Sequence, residues 1–102
     1  MNILLDDFKE YGQKVIKDLN EYALTKNGWS LAPDNFEGVR VNLNKEKGNG
    51  WFLLRLSLHD PLLPLNIESN DVGGAKKIAK ELCEFIASYD KLDFKSLVAF
   101  AN

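Results

Sequence analysis

The chain is predicted to be an α+β domain in which two helices cover one face of an antiparallel sheet. Two segments repeat apolar residues at helical spacing, and three segments between them alternate apolar with polar residues, as half-buried strands do. Strands with all their apolar side chains on one face need cover on that face only. The sequence therefore predicts a one-sided sheet backed by both helices.

Composition limits the classes of function. The 102 residues match one ordinary domain, and 45% hydrophobic with 27% charged residues is typical of a packed globular protein. The net charge of −2, without a basic block among aromatic residues, disfavours nucleic-acid binding. No apolar run approaches the roughly 20 residues of a membrane helix, and Ile3–Leu5 is too short for a secretory leader. One cysteine excludes an internal disulfide and favours a reducing, cytoplasmic compartment.

The first helix is predicted from about Asp6 to Lys26. Its apolar stripe recurs every three or four residues, which places it on one side of the helix. The residues at this spacing are Phe8, Gly12, Val15, Leu19 and Ala23. Asp6 and Asp7 are candidate N-caps, and Asn27-Gly28 is a stop signal for the helix.

Three strands are predicted in the middle of the chain, after a turn at Ala32–Asn35. The first is Gly38–Leu43, which alternates apolar with polar residues. The polar, glycine-containing connection Asn44–Gly50 closes a hairpin with the second strand, Trp51–Leu58. The third strand is Leu63–Ser69.

A second helix is predicted to begin within Asn70–Gly74 and to reach about Tyr89. Its apolar stripe is Ala75, Ile78, Ala79, Leu82, Phe85, Ile86 and Tyr89. Gly73-Gly74 is interpreted as the geometry of the helix start, because the G-x-x-x-x-G-K-[ST] spacing of a phosphate loop is absent. The predicted domain core is 6–89, and 90–102 is a tail in which Leu92–Phe100 forms a short third helix.

The alternation of side chains along each strand predicts a second, polar face of the sheet. Phe52, Leu54, Leu56 and Leu58 share the apolar face of the second strand. The polar side chains assigned to the other face are Arg40, Arg55, Ser57, Asn66 and Glu68. Trp51 and Leu53 lie among them, and large apolar side chains on an open face can mark a contact surface.

The run from Arg55 to Pro61 is the candidate functional segment. Arginine offers a planar fork of donors that fits phosphate, Ser57 adds a hydroxyl, and His59 adds a ring nitrogen. The amides of a turn add a concave nest for an anion. The residues therefore indicate a phosphate-binding loop, and the alternative is a hairpin turn with a solvated polar rim.

No other set of residues forms a complete catalytic centre. One histidine and one cysteine cannot furnish an ordinary metal site, and Cys83 lies beside the apolar helix stripe as a core residue. The carboxylates of Glu37, Asp60 and Glu68 show no pairing in the sequence. We therefore predict no catalytic and no metal-binding residue in this chain.

Four stretches resemble the C-terminal domain of the α-D-phosphohexomutases, the family of phosphoglucomutase and phosphomannomutase. They are Glu37–Val41, Gly50–Ser57, His59–Pro61 and Leu65–Ser69, and the resemblance is strongest from about 34 to 89. The resemblance implies a TATA-binding-protein-like fold. It also implies a role in a four-domain enzyme that interconverts sugar 1-phosphates and 6-phosphates, with a phosphoserine in the first domain and magnesium in the second.

In that family a mobile loop of the last domain, usually Arg-x-Ser-(Gly or Asn)-Thr-x-Pro, holds the substrate's non-reacting phosphate. Arg55, Ser57 and Pro61 match this pattern, whereas Leu58 replaces the small or amide residue and His59 replaces the threonine. The phosphate-binding residues that the resemblance implies are therefore Arg55, Ser57, Leu58 through its amide, His59 and Asp60. Arg40 and Asn66 support them from the open face.

We expect 1–102 to be the fourth domain of such an enzyme, which is not catalytic alone and lacks the phosphoserine and magnesium loops. Its expected partners are a hexose phosphate and the other three domains. We expect it to bind neither nucleic acid nor a membrane. The choice among glucose, mannose and N-acetylglucosamine phosphates stays open. The alternative is a stand-alone protein-interaction module that uses Trp51 and Arg40 on the open sheet face.

Overall fold

A four-stranded antiparallel sheet in the strand order β2-β3-β4-β5 organises the computed structural model, which describes residues 1–33 and 38–102. The elements are β1 (Asn2–Ile3), α1 (Phe8–Thr25), β2 (Trp29–Leu31), β3 (Gly38–Leu43), β4 (Gly50–Arg55), β5 (Leu65–Ser69), α2 (Gly74–Ile86), β6 (Leu92–Asp93) and α3 (Lys95–Ala101). The predicted α+β class is therefore confirmed. Among the described residues, no helix is both long and apolar enough to cross a membrane.

Helix α1 agrees with its predicted span to within two residues. Its buried residues are Gly12, Val15, Leu19 and Ala23, four of the five residues of the predicted stripe. Asp7 occupies the N-cap position, although its carboxylate makes no capping hydrogen bond within the described residues. The helix ends at Thr25 with Lys26 as its C-cap, and Gly28 follows with a φ of +84°, a left-handed conformation that favours glycine.

The sheet has one buried and one open face. Its buried side chains come from alternate positions of β3 and β4 and pack against apolar residues of α1 and α2 in a single core. The buried residues of β3 and β4 are Val39, Val41, Leu43, Phe52 and Leu54, and Trp29 of β2 is buried beside them. β3 has its predicted bounds, whereas β2 was not predicted, because a three-residue strand depends on its pairing with β3.

The predicted second and third strands are too long. β4 ends at Arg55, not at Leu58, and β5 begins at Leu65, not at Leu63. The assignment of Leu58 to the buried face is wrong, since its side chain is 77% exposed. The chain turns after Ser57, whose hydroxyl accepts a hydrogen bond from the Asp60 amide.

The C-terminal segment belongs to the fold. β6 pairs antiparallel with β1, and Leu92, Leu97 and Ala101 are buried in the core together with Ile3. The core therefore extends beyond the predicted interval 6–89 at both ends. The predicted third helix forms as α3 but begins at Lys95, because Leu92 and Asp93 form the strand β6. The predicted turn Ala32–Asn35 falls partly outside the described residues.

Candidate functional site

The open face of the sheet carries the predicted polar side chains in cross-strand rows. One row joins Arg40, Leu53 and Asn66, and both polar residues of that row are exposed. The guanidinium carbon of Arg40 lies 4.3 Å from the centroid of the Trp51 ring, in cation–π geometry. The structure thus places Arg40 and Asn66 on the face that the alternation predicts.

Arg55 occupies the next row, about 7 Å further along β4. Its cross-strand neighbours are Gly38 on β3 and Pro64 on the β5 side. A Cβ on Gly38 would collide with the carbonyl oxygen of Leu54 and lie 2.8 Å from the Arg55 Cα. Only glycine fits there without moving β4, so Gly38 helps to set the position of Arg55.

The β4–β5 connection is a tight hairpin with a four-residue loop. The Arg55 amide donates to the Pro64 carbonyl at 3.1 Å, and the Ser57 amide donates to the Leu62 carbonyl at 3.0 Å. These bonds continue the β4–β5 register beyond the two strands. Residues 58–61, which we call the hairpin loop, are therefore held on a two-stranded stem with Arg55 and Ser57 on one face.

Hydrogen bonds shape this loop from within. The Asp60 amide donates to the Ser57 Oγ at 3.3 Å, and the Leu62 amide donates to the Asp60 carbonyl at 2.7 Å. Within the described parts of the chain, no hydrogen bond engages the amides of Leu58 and His59. Two backbone donors therefore remain for an external acceptor at the tip of the hairpin.

Most of the donors that the sequence indicated lie in the hairpin loop or on its stem. Arg55 and Ser57 are half-buried, while Leu58, His59 and Asp60 are exposed. The guanidinium, the Ser57 hydroxyl and the amides of Leu58 and His59 are all groups that can donate a hydrogen bond to an anion. The Asp60 carboxylate opposes an anion, and its amide is already used by Ser57. The arrangement can bind an anion, and it offers no nucleophile–base pair.

Sequence reasoning missed the N-terminal strand that supports the loop. The Ile3 amide donates to the Pro61 carbonyl at 2.7 Å, and the Leu63 amide donates to the Met1 carbonyl at 2.8 Å. The only sequence signal was the apolar pattern of Met1 and Ile3, which is too short to identify a strand.

A second polar cluster joins α1 to the segment after α2. The Tyr89 hydroxyl donates to Asp18 at 2.6 Å, and Lys14 donates to the same carboxylate oxygen at 2.8 Å. The hydrogen bonds from Lys14 and Tyr89 lower the pKa of Asp18, and burial together with the Asp18 contact raises the pKa of Tyr89. Each group has its partner, so the cluster ties two elements together.

Other chemistry is sparse. Cys83 was predicted as a core residue, and it is half-buried against the core, where desolvation raises the pKa of its thiol. Among the residues that the structure describes, no three His, Cys, Asp or Glu side chains are grouped so as to hold a metal ion.

Comparison with known proteins adds no identification. No protein-family model matches this chain, and no curated protein matches it.

Proposed function

We propose that this chain is the phosphate-binding C-terminal domain of a phosphohexomutase, with a TATA-binding-protein-like fold. The hairpin loop would hold the phosphate that does not react while a hexose 1-phosphate and 6-phosphate interconvert. The observation that carries the proposal is the pair of free amides at Leu58 and His59, beside the guanidinium of Arg55 and the hydroxyl of Ser57. The sequence resemblance supplies the substrate class.

Each part of the loop has a role in this proposal. Arg55 makes the main charge-assisted contact, because its planar guanidinium can donate two parallel hydrogen bonds to a phosphate. Leu58 replaces a small or amide residue of the family pattern, and it contributes through its backbone amide only. His59 replaces a threonine and donates from a ring nitrogen. Arg40 and Asn66 support the site from the neighbouring row.

The isolated domain would bind weakly. The loop tip is exposed, so a bound phosphate would have protein on one side only. We expect affinity for a sugar phosphate no tighter than about 1 mM, or roughly −4 kcal/mol. Catalysis would need the phosphoserine and magnesium of the other domains, and in the full enzyme the loop's contribution would be orientation of the substrate.

A proton–nitrogen NMR titration with glucose 1,6-bisphosphate tests the proposal, with sulfate as the control anion. We expect progressive amide shifts confined to 55–61, with the largest at Leu58 and His59, and smaller shifts with sulfate. A well-dispersed spectrum in which these amides do not move at tens of millimolar ligand would contradict phosphate recognition by this loop.

A second function, docking of a partner protein on the open face, is favoured by the stacking of Arg40 on Trp51. Tryptophan and arginine are the residues most often found at the energetic centres of interfaces. Trp51→Ala separates the two functions, because it would weaken such a complex and leave the shifts of 55–61 unchanged.

A further inference from the structure

We propose that Asn27-Gly28, in the connection between α1 and β2, is a modification site at which the side chain of Asn27 spontaneously loses its amide nitrogen. The backbone nitrogen of Gly28 gives up its proton and bonds to the side-chain carbonyl carbon of Asn27, and ammonia leaves. Water then breaks one of the two carbon–nitrogen bonds of the resulting succinimide ring. The products are aspartate and isoaspartate, and each carries a carboxylate that is ionised at neutral pH.

The residue after an asparagine decides how easily its nitrogen reaches the side chain. Glycine has no Cβ to obstruct that approach, and its backbone adopts many conformations. The sequence contains two Asn-Gly pairs, Asn27-Gly28 and Asn49-Gly50, and a tryptophan follows each of them. Because the local sequences are so similar, a difference in reactivity between the two pairs has to come from the fold.

The first pair lies in the turn that follows α1, where the side chain of Asn27 is exposed. The Trp29 amide closes this turn by donating to the Lys26 carbonyl at 3.2 Å. The Gly28 carbonyl accepts from the Asn44 amide at 2.9 Å. Within the described residues, however, neither the Gly28 amide nor the Asn27 side chain makes a hydrogen bond. The attacking nitrogen and the group that it attacks are therefore not restrained by such bonds.

The second pair is held at both of its reacting groups. Asn49 Nδ2 donates to Asp71 Oδ1 at 3.2 Å, which restrains the side chain. The Asn49 carbonyl accepts from the Asn70 amide, so Asn49 bonds toward the β5 side of β4. Hydrogen-bonded pairs alternate along a strand, so Gly50 bonds to its partner on β3, Leu43. The Gly50 amide can attack only after this ladder hydrogen bond breaks.

Isoaspartate at residue 27 would change the chain where α1 joins the sheet. In isoaspartate the main chain runs through the former side chain, which inserts a methylene between residues 27 and 28. The hydrogen bond between Gly28 and Asn44 follows directly, and so does the buried Trp29. The added length shifts Gly28 relative to Asn44, so β2 would be held less firmly than in the unmodified chain.

Incubation of the purified chain in mildly alkaline buffer, with and without enough urea to unfold it, tests the proposal. Trypsin releases Asn27 in peptide 27–40 and Asn49 in peptide 48–55. The exchange of NH₂ for OH changes the mass of the peptide, and fragmentation in the mass spectrometer assigns the altered residue. Digestion in water labelled with heavy oxygen marks any reaction that occurs after the incubation. The unfolded sample is the reference, because the fold no longer distinguishes the two pairs.

In the folded chain we expect Asn27 to react at least about tenfold faster than Asn49, because Asn49 must first lose its restraining hydrogen bonds. In urea the two rates should be similar. Similar rates in the folded chain, or a faster reaction at Asn49, would overturn the proposal. It would also be overturned if folding slowed the reaction of Asn27 about as much as that of Asn49.

Asn27→Gln is the matched control variant. Glutamine keeps the amide and moves its carbonyl carbon one methylene further from the Gly28 nitrogen. We expect the altered form of peptide 27–40 to disappear and the rate at Asn49 to stay the same. An altered form that persists in this variant would assign the reaction to another residue and overturn the proposal.

Amide hydrogen exchange tests the structural consequence on the isoaspartate form, which ion-exchange chromatography separates from the unmodified chain. We expect exchange at Asn44 to be about tenfold faster in this form, because the amide loses its bond to the Gly28 carbonyl. Unchanged exchange at Asn44 would overturn the claim that the modification loosens β2.

Discussion

The two ends of the sheet differ in how they use their polar groups. The bonded end comprises the turn 44–49 and the loop 69–74, and the exposed end comprises 55–62. At the bonded end, Ser69 Oγ donates to the Gly48 carbonyl and accepts from the Asp71 amide at 3.1 Å. The Asn49 side chain adds a 3.2 Å hydrogen bond to Asp71. The exposed end has one such side-chain hydrogen bond, from the Asp60 amide to Ser57.

Backbone packing differs in the same way. A Cβ on Gly74 would collide with both the Ser69 hydroxyl and the Gly48 carbonyl, so two loops touch there with no space between them. The hairpin loop carries exposed side chains at Leu58, His59 and Asp60. Side-chain hydrogen bonds and close backbone contact therefore join the two loops of the bonded end to each other, whereas one side-chain hydrogen bond shapes the exposed end. Binding groups are typically placed on such a loop when a rigid scaffold holds it.

The largest expected effect is at the bonded end. Gly74→Ala should lower the free energy of unfolding by about 3 kcal/mol, because the added methyl has no space between Ser69 and Gly48. Gly73→Ala is the matched control. Gly73 has a φ of +77° but open space around it, so its cost is only the backbone conformation, about 1 kcal/mol. Urea unfolding of both variants measures the difference, and equal losses would contradict the close contact.

A smaller difference in unfolding free energy is expected between variants of Ser69 and Ser57. Ser69→Ala leaves the carbonyl of buried Gly48 without its hydroxyl donor and should cost about 2 kcal/mol of unfolding free energy. Ser57→Ala removes one bond from a solvated turn and should cost about 0.5 kcal/mol. Denaturant midpoints test this order. If Ser57→Ala is the more destabilising variant, the exposed end is not the weakly bonded one.

Local pattern accounts for the elements that the sequence predicted well. The bounds of β3 follow from strict alternation over six residues, and α1 follows from its stripe and from Gly28. The bounds of β2, β1 and β6 depend on partners distant in the chain, such as Leu43 for Trp29 and Leu92 for Ile3. Three-residue and two-residue strands have no periodicity of their own, so only the folded structure reveals them.

The features of the candidate site also divide into those that the local sequence indicates and those that depend on contacts between distant residues. Residue types alone selected Arg55, Ser57 and His59, and alternation placed Arg40 and Asn66 on the open face. The reversal at Leu58 was not predictable from alternation, because the Ser57–Asp60 hydrogen bond ends the extended pattern. The support of Pro61 by Ile3 joins residues far apart in sequence, and no local signal indicates it.

The most direct test of the account compares two arginines of the same face in one titration with glucose 1,6-bisphosphate. Arg55→Ala should weaken binding at 55–61 by about tenfold or more, because it removes a hydrogen bond to a charged group. Arg40→Ala removes an equal charge one row away and should weaken binding by less than about threefold. Equal losses in both variants would mean that the face attracts anions only through its net charge. Unchanged binding in Arg55→Ala would contradict the central claim that the exposed end of the sheet holds a phosphate.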